Sequence, residues 1–320
     1  MIKVGIIGGA GYTAGELLRI LLNHPEVDVH FVNSLSNAGN KLYNVHEGLF
    51  GETEMTFTDQ LPLDQVDALF ICSGHGDSKK FLEANIVPSH IKIIDLSQDF
   101  RDESNGFVYG LPEVNRERIK NADKLANPGC FATAIQLGIL PLAANGLLKG
   151  EVHTNGITGS TGAGVKPSAT SHFSWRNNNI SIYKAFTHQH LIEINRTLKQ
   201  LQAGFNHDIN FLPLRGDFAR GIFVSSYTEC DLSAEELTAL YKEFYKDAAF
   251  TFVMDANLDL KQVVNTNKAI VHVEKHGNKV LAVSAIDNLL KGASGQAVQN
   301  FNLMFGLDES CGLKLKSVAF

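Results

Sequence analysis

Short apolar runs alternate with helix-period segments through the first third of the chain. IKVGIIG (residues 2–8) is a continuous apolar run of strand length, and AGELLRILLNH (14–24) repeats its apolar positions at helical spacing. DVHFVN (28–33), DALFICS (67–73) and IKIIDLS (91–97) return to strand texture. Apolar strands alternating with helices predict a parallel sheet covered on both faces, a doubly wound Rossmann-type α/β domain. Ligands of such sheets bind beyond the carboxyl ends of the strands, which directs attention to Gly8–Thr13, Ser34–Ser36, Ser73–His75 and Ser97–Arg101.

The texture changes near residue 150. EVHTNGITG reads as a strand, followed by the Gly/Ser/Thr-rich loop STGAGVKPSATS, and AIVHVEK and KVLAVSAI flank His276-Gly277-Asn278 as an antiparallel hairpin. Ser233 and Glu236 make a capping box that opens the helix SAEELTALYKEFYKDA. Mixed strands with helices on one side predict an α+β second domain. The last helical segment, 293–307, is expected to pack back on the first domain. The expected layout is therefore a cofactor domain from 1–130 with about 290–320, and a substrate and oligomerisation domain over about 131–289.

Bulk numbers narrow the function classes. A length of 320 residues exceeds the ~250–300 at which single cores stop growing, so two domains are expected. A hydrophobic content of 44% with 19% charged residues argues against disorder. A net charge of −6 without a Lys/Arg block argues against nucleic acid or an anionic membrane as partner. No apolar run approaches the ~20 residues of a membrane span, and MIKVGIIGGAGY does not read as a secretory leader; the expectation is a cytoplasmic protein. The 4 cysteines are far apart and form no CxxC, which predicts neither a disulfide framework nor a zinc module.

GGAGYTAGE (8–16) follows the first strand and opens the first helix. Its glycines permit a tight turn and close approach of a pyrophosphate to the helix N-terminus, which makes Gly8, Gly11, Tyr12, Thr13 and Ala14 candidate dinucleotide contacts. The spacing is GxxGxxA rather than GxGxxG. After the second strand, Asn33-Ser34-Leu35-Ser36-Asn37 holds no acid for a ribose 2′-hydroxyl. The hydroxyls of Ser34 and Ser36, with Lys41 nearby, suit a 2′-phosphate better, and the cofactor is read as NADP(H). Ser73 and His75, after the third strand, complete the set.

In NPGCFAT (127–133), Pro128-Gly129 presents Cys130 at a turn with a small, apolar, helix-prone run behind it. A thiol at a helix N-terminus is activated, because the dipole and unpaired N–H groups favour the thiolate. The same groups can stabilise an oxyanion. Cys72, Cys230 and Cys311 lack that setting and read as inert.

LANPGCFATAIQLGILP (125–141) closely resembles the active-site segment of the N-acetyl-γ-glutamyl-phosphate reductases, the third enzymes of arginine biosynthesis. GGAGYTAGELLRIL, IIDLSQDFR (93–101), YGLPEVN (109–115), GSTGAGVKPS (159–168), HQHLIEI (188–194) and DNLLKGASGQAVQNFN (287–302) resemble further blocks of that family, across almost the whole chain. The resemblance implies attack of Cys130 on an acyl phosphate, a thioester, and hydride reduction by NADPH to an N-acylglutamate 5-semialdehyde. A proton carrier is needed, and His188 and His190 are the candidates, with Glu193 able to orient one. Residues two apart on a helix face different sides, so one histidine is expected to face the thiol, and His190 is preferred. A metal bound by H-Q-H lacks an evident third ligand. Gly162 and Asn288, in two of the matched blocks, are implied as further cofactor contacts. Arg101, Lys166, Arg215 and Arg220 lie in or near the blocks as candidate cations for acyl phosphate and carboxylate, Arg220 the strongest, with Arg101 and Lys166 beside it. Family members associate as dimers or tetramers through the second domain, so a homo-oligomer acting on a small acyl phosphate is implied.

The chain also departs from the family pattern. Leu35 stands where many relatives carry an arginine, H-Q-H replaces H-R-H, and Val165-Lys166 stand at the end of the G-A-G-R loop. SHFSWRNNNISIYK (171–184), with the only tryptophan, is divergent and lies beside the substrate loops, where it is expected to shape the N-acyl pocket. An N-succinyl substrate would fit the same chemistry. The alternatives are aspartate-semialdehyde dehydrogenase, an aminoadipyl-type enzyme of lysine biosynthesis, and a non-catalytic NADP-binding regulator.

Overall fold

The computed structural model describes residues 1–318, which divide into two compact units. The first comprises Met1–Pro128 with Ala293–Lys314, and the second Gly129–Gly292 with the segment from Leu315. The chain passes between them at Pro128/Gly129 and returns at Gly292/Ala293.

In the first unit the elements are β1 (Ile2–Ile7), α1 (Tyr12–Leu21), β2 (Val27–Asn33), β3 (Ala68–Ile71), α2 (Asp77–Ala84), β4 (Lys92–Asp95), β5 (Val108–Tyr109), α3 (Pro112–Lys120) and β6 (Lys124–Ala126). The strands form one parallel sheet in the order β2-β1-β3-β4-β6-β5. Every residue of β3 is buried, as expected of a strand covered on both faces. One face carries Ile7, Phe31, Leu69, Ile71 and Ile93, against which Phe81 and Leu82 of α2 pack. The order changes direction at β1/β3, the switch point where the loops after both strands diverge and a ligand fits.

In the second unit the elements are α4 (Cys130–Ala144), β7 (Val152–Thr158), α5 (Phe173–Arg176), β8 (Ser181–Ile182), α6 (His190–Leu201), β9 (Ile209–Arg215), β10 (Ile222–Glu229), α7 (Ala234–Tyr245), β11 (Thr251–Val253), β12 (Ala269–His276) and β13 (Lys279–Ile286). A seven-stranded mixed sheet runs β11-β12-β13-β10-β7-β9-β8. The β12–β13 hairpin and the Ser233/Glu236 capping box form as the sequence predicts. Helix α4 lies against β10, β12 and β13 and is buried from Phe131 to Ala143, which explains its apolar character on all sides. Pro141 removes one donor from α4, which frees Leu137 O. Tyr245 of α7 answers it, donating to Leu137 O at 2.5 Å, and Tyr241 bonds the next carbonyl, Gly138 O, at 2.7 Å. The final helix, α8 (Ser294–Met304), rejoins the first unit and packs between α1 and α3.

Candidate active site

Cys130 is the first residue of α4, whose N-cap Gly129 is extended (φ −71°, ψ 150°). The first intrahelical bond runs from Thr133 N–H to Gly129 O at 2.8 Å, so the N–H groups of Phe131 and Ala132 precede the ladder and point out of the helix start. The approach is held rigidly within the first unit. Asn127 is 1% exposed; its carbonyl accepts from Arg101 Nε at 2.9 Å, and its amide donates to Ala293 O at 3.0 Å. Its N–H donates to Asp95 O at 2.8 Å. Arg101 also donates to Leu96 O at 3.3 Å, so this candidate substrate cation is braced on backbone carbonyls that set the strand end before the cysteine.

Glu193, buried in the first turn of α6, accepts the N–H of Gly129 at 3.0 Å. Its carboxylate therefore holds the residue before the nucleophile, a contact that pattern reading had not foreseen because it joins segments 64 residues apart. Gly292 closes the other side. A Cβ there would lie 2.6 Å from Asn288 O and 2.9 Å from Cys130 Cβ, so only glycine fits.

The two histidines behave differently from the helical-periodicity expectation. Helix α6 begins at His190, leaving His188 outside it, and the rings meet edge-on at 4.6 Å. His188 is enclosed by Phe131, Phe211 and Tyr183 at 5.7, 5.4 and 5.8 Å, and its Nδ1 accepts the His190 N–H at 3.2 Å. Burial, followed by the charge of Lys184, pulls its pKa down to about 4, so the ring is neutral at physiological pH. His190 is also buried and heads α6. Tyr183, which the sequence had not singled out, has its phenol pushed up to about 12 by burial and then by the charge of Cys130.

Arg220 forks onto buried Asp287, Nε to Oδ2 at 3.1 Å and Nη2 to Oδ1 at 3.2 Å. Asp287 also accepts the N–H groups of Asn265, Leu289 and Leu290. The pair thus shapes the turn that carries Gly292. Asn288, 2% exposed, accepts from Gly221 N–H at 2.6 Å and donates to Thr161 Oγ1 at 3.0 Å, which ties the loop containing Gly162. Lys166 is exposed on that loop.

In the first unit the glycine loop follows β1. Gly8 has φ +75°, and a Cβ there would lie 2.9 Å from Ser73 N, so the loop needs this glycine twice over. Gly11 caps α1, with Tyr12 and Thr13 in its first turn and Ala14 buried beneath. His46 was missed: its Nε2 bonds Gly9 O at 2.7 Å and its ring occupies the space where a Gly15 Cβ would stand. Asn37 donates to Ser34 Oγ at 3.2 Å and Ser36 Oγ at 3.1 Å, leaving both hydroxyl protons to point elsewhere, while Leu35 is 79% exposed. Lys41 is tied down by the Glu54 carbonyl and carboxylate, at 2.6 and 3.1 Å. His75 accepts the Gln98 N–H through Nδ1 at 3.2 Å. Burial, then Asp95, pushes the Cys72 thiol up to about 12, which leaves it inert. Among the described residues no group of three or more His, Cys, Asp or Glu could hold a metal ion, and no helix is long and apolar enough to cross a membrane.

Residues 3–122 match the family model of the semialdehyde dehydrogenase NAD binding domain, and residues 130–288 that of the semialdehyde dehydrogenase dimerisation domain. N-acetyl-gamma-glutamyl-phosphate reductases of Phocaeicola vulgatus and Bacteroides thetaiotaomicron are 62% and 63% identical to this chain over 322 residues, covering 100% of it and 100% of each relative. Among solved structures, the aspartate semialdehyde dehydrogenase II of Vibrio cholerae complexed with ASA superposes with a TM-score of 0.74 at 16% identity, covering 96% of this chain and 98% of that one. The Candida albicans aspartate semialdehyde dehydrogenase with NADP does so at 0.73 and 13% identity, covering 95% and 99%. At those identities the superpositions show the shared fold.

Proposed function

This chain belongs to the N-acetyl-γ-glutamyl-phosphate reductase family of semialdehyde dehydrogenases, and on that premise we propose that it reduces an N-acyl-γ-glutamyl phosphate to the N-acylglutamate 5-semialdehyde through a thioester on Cys130. The observation that carries the mechanism is the placement of Cys130 at the start of the 15-residue helix α4, with Glu193 holding Gly129 beside it.

The steps follow from that placement. The Cys130 proton passes to His190, and the sulfur attacks the acyl carbon as phosphate departs with the C–O bond. The first-turn N–H groups of Phe131 and Ala132 stabilise the charge that builds on the acyl oxygen. The cofactor, held by the glycine loop after β1 and the hydroxyls after β2, would supply the hydride needed at the thioester carbon. Collapse of the thiohemiacetal breaks the C–S bond, releases the aldehyde and returns the thiolate to the helix start. His188, neutral across the working range, serves by packing on Phe131 and accepting the His190 N–H, which fixes the angle of its neighbour.

The residues of the first unit suit NADP(H). The Gly8 turn leaves room that any Cβ would fill, and the start of α1 offers N–H donors to a pyrophosphate. Two serine hydroxyls and no acid follow β2, as a 2′-phosphate requires. We assign the protein to the cytoplasm and to a homo-oligomer built on the second unit. Its sheet has α4, α6 and α7 on one face only.

The reverse reaction tests this reading: NADP+ reduction with phosphate and N-acetyl- or N-succinylglutamate 5-semialdehyde. Phosphate-dependent turnover that disappears in Cys130→Ser is expected. Turnover with aspartate semialdehyde alone would overturn it.

A further inference from the structure

The candidate cations are not equivalent. Arg101 is braced on two carbonyls, Arg220 is forked on Asp287, and Lys166 is out in solvent. Arg215 is different. It ends β9, in register with Thr158 at the end of β7. Alternation along β9 puts Phe211, Pro213 and Arg215 on one face, and Phe211 packs on Phe131 and His188 at 5.0 and 5.4 Å. Arg215 therefore lies on the face of the sheet that carries the residue after the nucleophile.

Its guanidinium stacks over the ring of Tyr183 at 4.7 Å, and that ring in turn meets His188 at 5.8 Å. Its Nε is buried without a hydrogen-bond partner, and no carboxylate among the described residues pairs with it. At the matching register position, Thr158 Oγ1 is likewise buried with no partner. Two unanswered polar groups at adjacent strand ends are a cost unless a ligand answers them. The position of Arg215 is enforced by the divergent insert. Buried Arg176 donates to Arg215 O at 2.6 Å, to Asn179 O at 3.1 Å and to Ser181 Oγ at 3.0 Å, and Ser181 pairs with Arg215 in the β8–β9 ladder. Arg176 also adds a second positive charge nearby; its own pKa is lowered by burial and then by the charge of Arg215.

We propose that Arg215, stacked on Tyr183, is the residue that binds a carboxylate of the substrate beside Cys130. This rests on the reductase reading and deepens it by naming the group that recognises the non-reacting part of the molecule. A planar guanidinium held over an aromatic face presents its fork to a carboxylate with little rotamer freedom left to lose. The carboxylate has two sources, the α-carboxylate of every N-acylglutamate and the terminal carboxylate of an N-dicarboxylic acyl group such as succinyl.

The test separates binding from chemistry. N-acetylglutamine and N-succinylglutamine, whose uncharged γ-amide stands in for the reacting group and cannot react, are titrated by calorimetry into the wild-type protein and into Arg215→Gln, with NADP+ binding measured alongside as the control for folding. Removing a charge-assisted pair is expected to raise Kd about 30-fold or more, with NADP+ binding unchanged. An equal loss for both ligands assigns Arg215 to the α-carboxylate; a loss confined to the succinyl ligand assigns it to the acyl terminus. Kd values within twofold of wild type for both ligands, or no binding of either by the folded wild-type protein, would overturn the proposal. Phosphate-dependent turnover of the wild type, measured separately, judges the reductase reading itself.

Discussion

At the scale of single residues, His188 and His190 show how one dipeptide repeat yields two chemistries. His188 has three aromatic neighbours and a pKa of about 4, lowered first by burial and then by Lys184. The unfolded chain binds a proton at that ring below its ordinary value of 6.5, while the folded one does not until about 4. The contribution is complete above pH 6.5 and is lost as pH falls toward 4, an effect of roughly 3 kcal/mol. Denaturant unfolding between pH 7 and 4 is expected to show this slope, and His188→Asn, which keeps an acceptor for the His190 N–H without titrating, is expected to flatten it. An unchanged slope in that variant would remove His188 as the cause. Cys130 and the H-Q-H pair were legible from local pattern, because a Pro-Gly turn and paired histidines are visible in a few letters. Glu193, Tyr183 and His46 were not read in their observed contacts, since each contact joins residues that tertiary packing brings together. Lys41 misled for the same reason: the Glu54 carboxylate that ties it down is invisible in the stretch around Ser34.

Elements carry the next layer. The strands and the capped helix α7 could be read because apolar period and cap chemistry are local signals. How the carbonyl that Pro141 frees in α4 is satisfied could not be read, because Tyr245, which donates to Leu137 O, lies more than 100 residues away. The turn between β13 and α8 is equally tuned. Asp287 gathers Arg220 and three backbone N–H groups, and the turn then brings Gly292 against Cys130 with no room for a methyl group. Gly292→Ala is expected to displace the thiol without touching the glycine loop. Its kcat is expected to fall about 100-fold, as misplacement of a reacting group near 1 Å does, while the Kd for NADP+ stays at the wild-type value. Equal losses in both would mean that the variant disturbs more than the helix start.

For the molecule as a whole, the homo-oligomer proposed above would be built on the second unit's sheet. Helices α4, α6 and α7 lie against one face, and segment 254–264 contributes Met254, Leu258, Leu260 and Val263 to a small cluster on β12, β13 and β10. Along β7, Val152, Thr154, Gly156 and Thr158 are buried, whereas His153, Asn155 and Ile157 alternate with them and are only half-buried. On β10 the neighbouring Tyr227, 38% exposed, stacks on His153 at 4.9 Å. The rings of His153 and Tyr227, the amide of Asn155 and the side chain of Ile157, with Glu151 at the margin 3.7 Å from His153, make a surface that a self-complementary two-fold interface can use. Residues 130–288 match a dimerisation domain, which agrees with that use of the sheet. Placing a carboxylate on this surface sets two like charges together across the two-fold axis, a repulsion that a hydrated free surface would not feel. If the proposed homo-oligomer uses this face, Asn155→Glu with Tyr227→Glu is expected to lower the sedimentation coefficient toward that of the monomer in sedimentation velocity at micromolar concentration. NADP+ binding, which belongs to the first unit, is expected to persist in that monomer. A double variant that sediments as wild type would exclude this face and send the search for the interface to another part of the second unit.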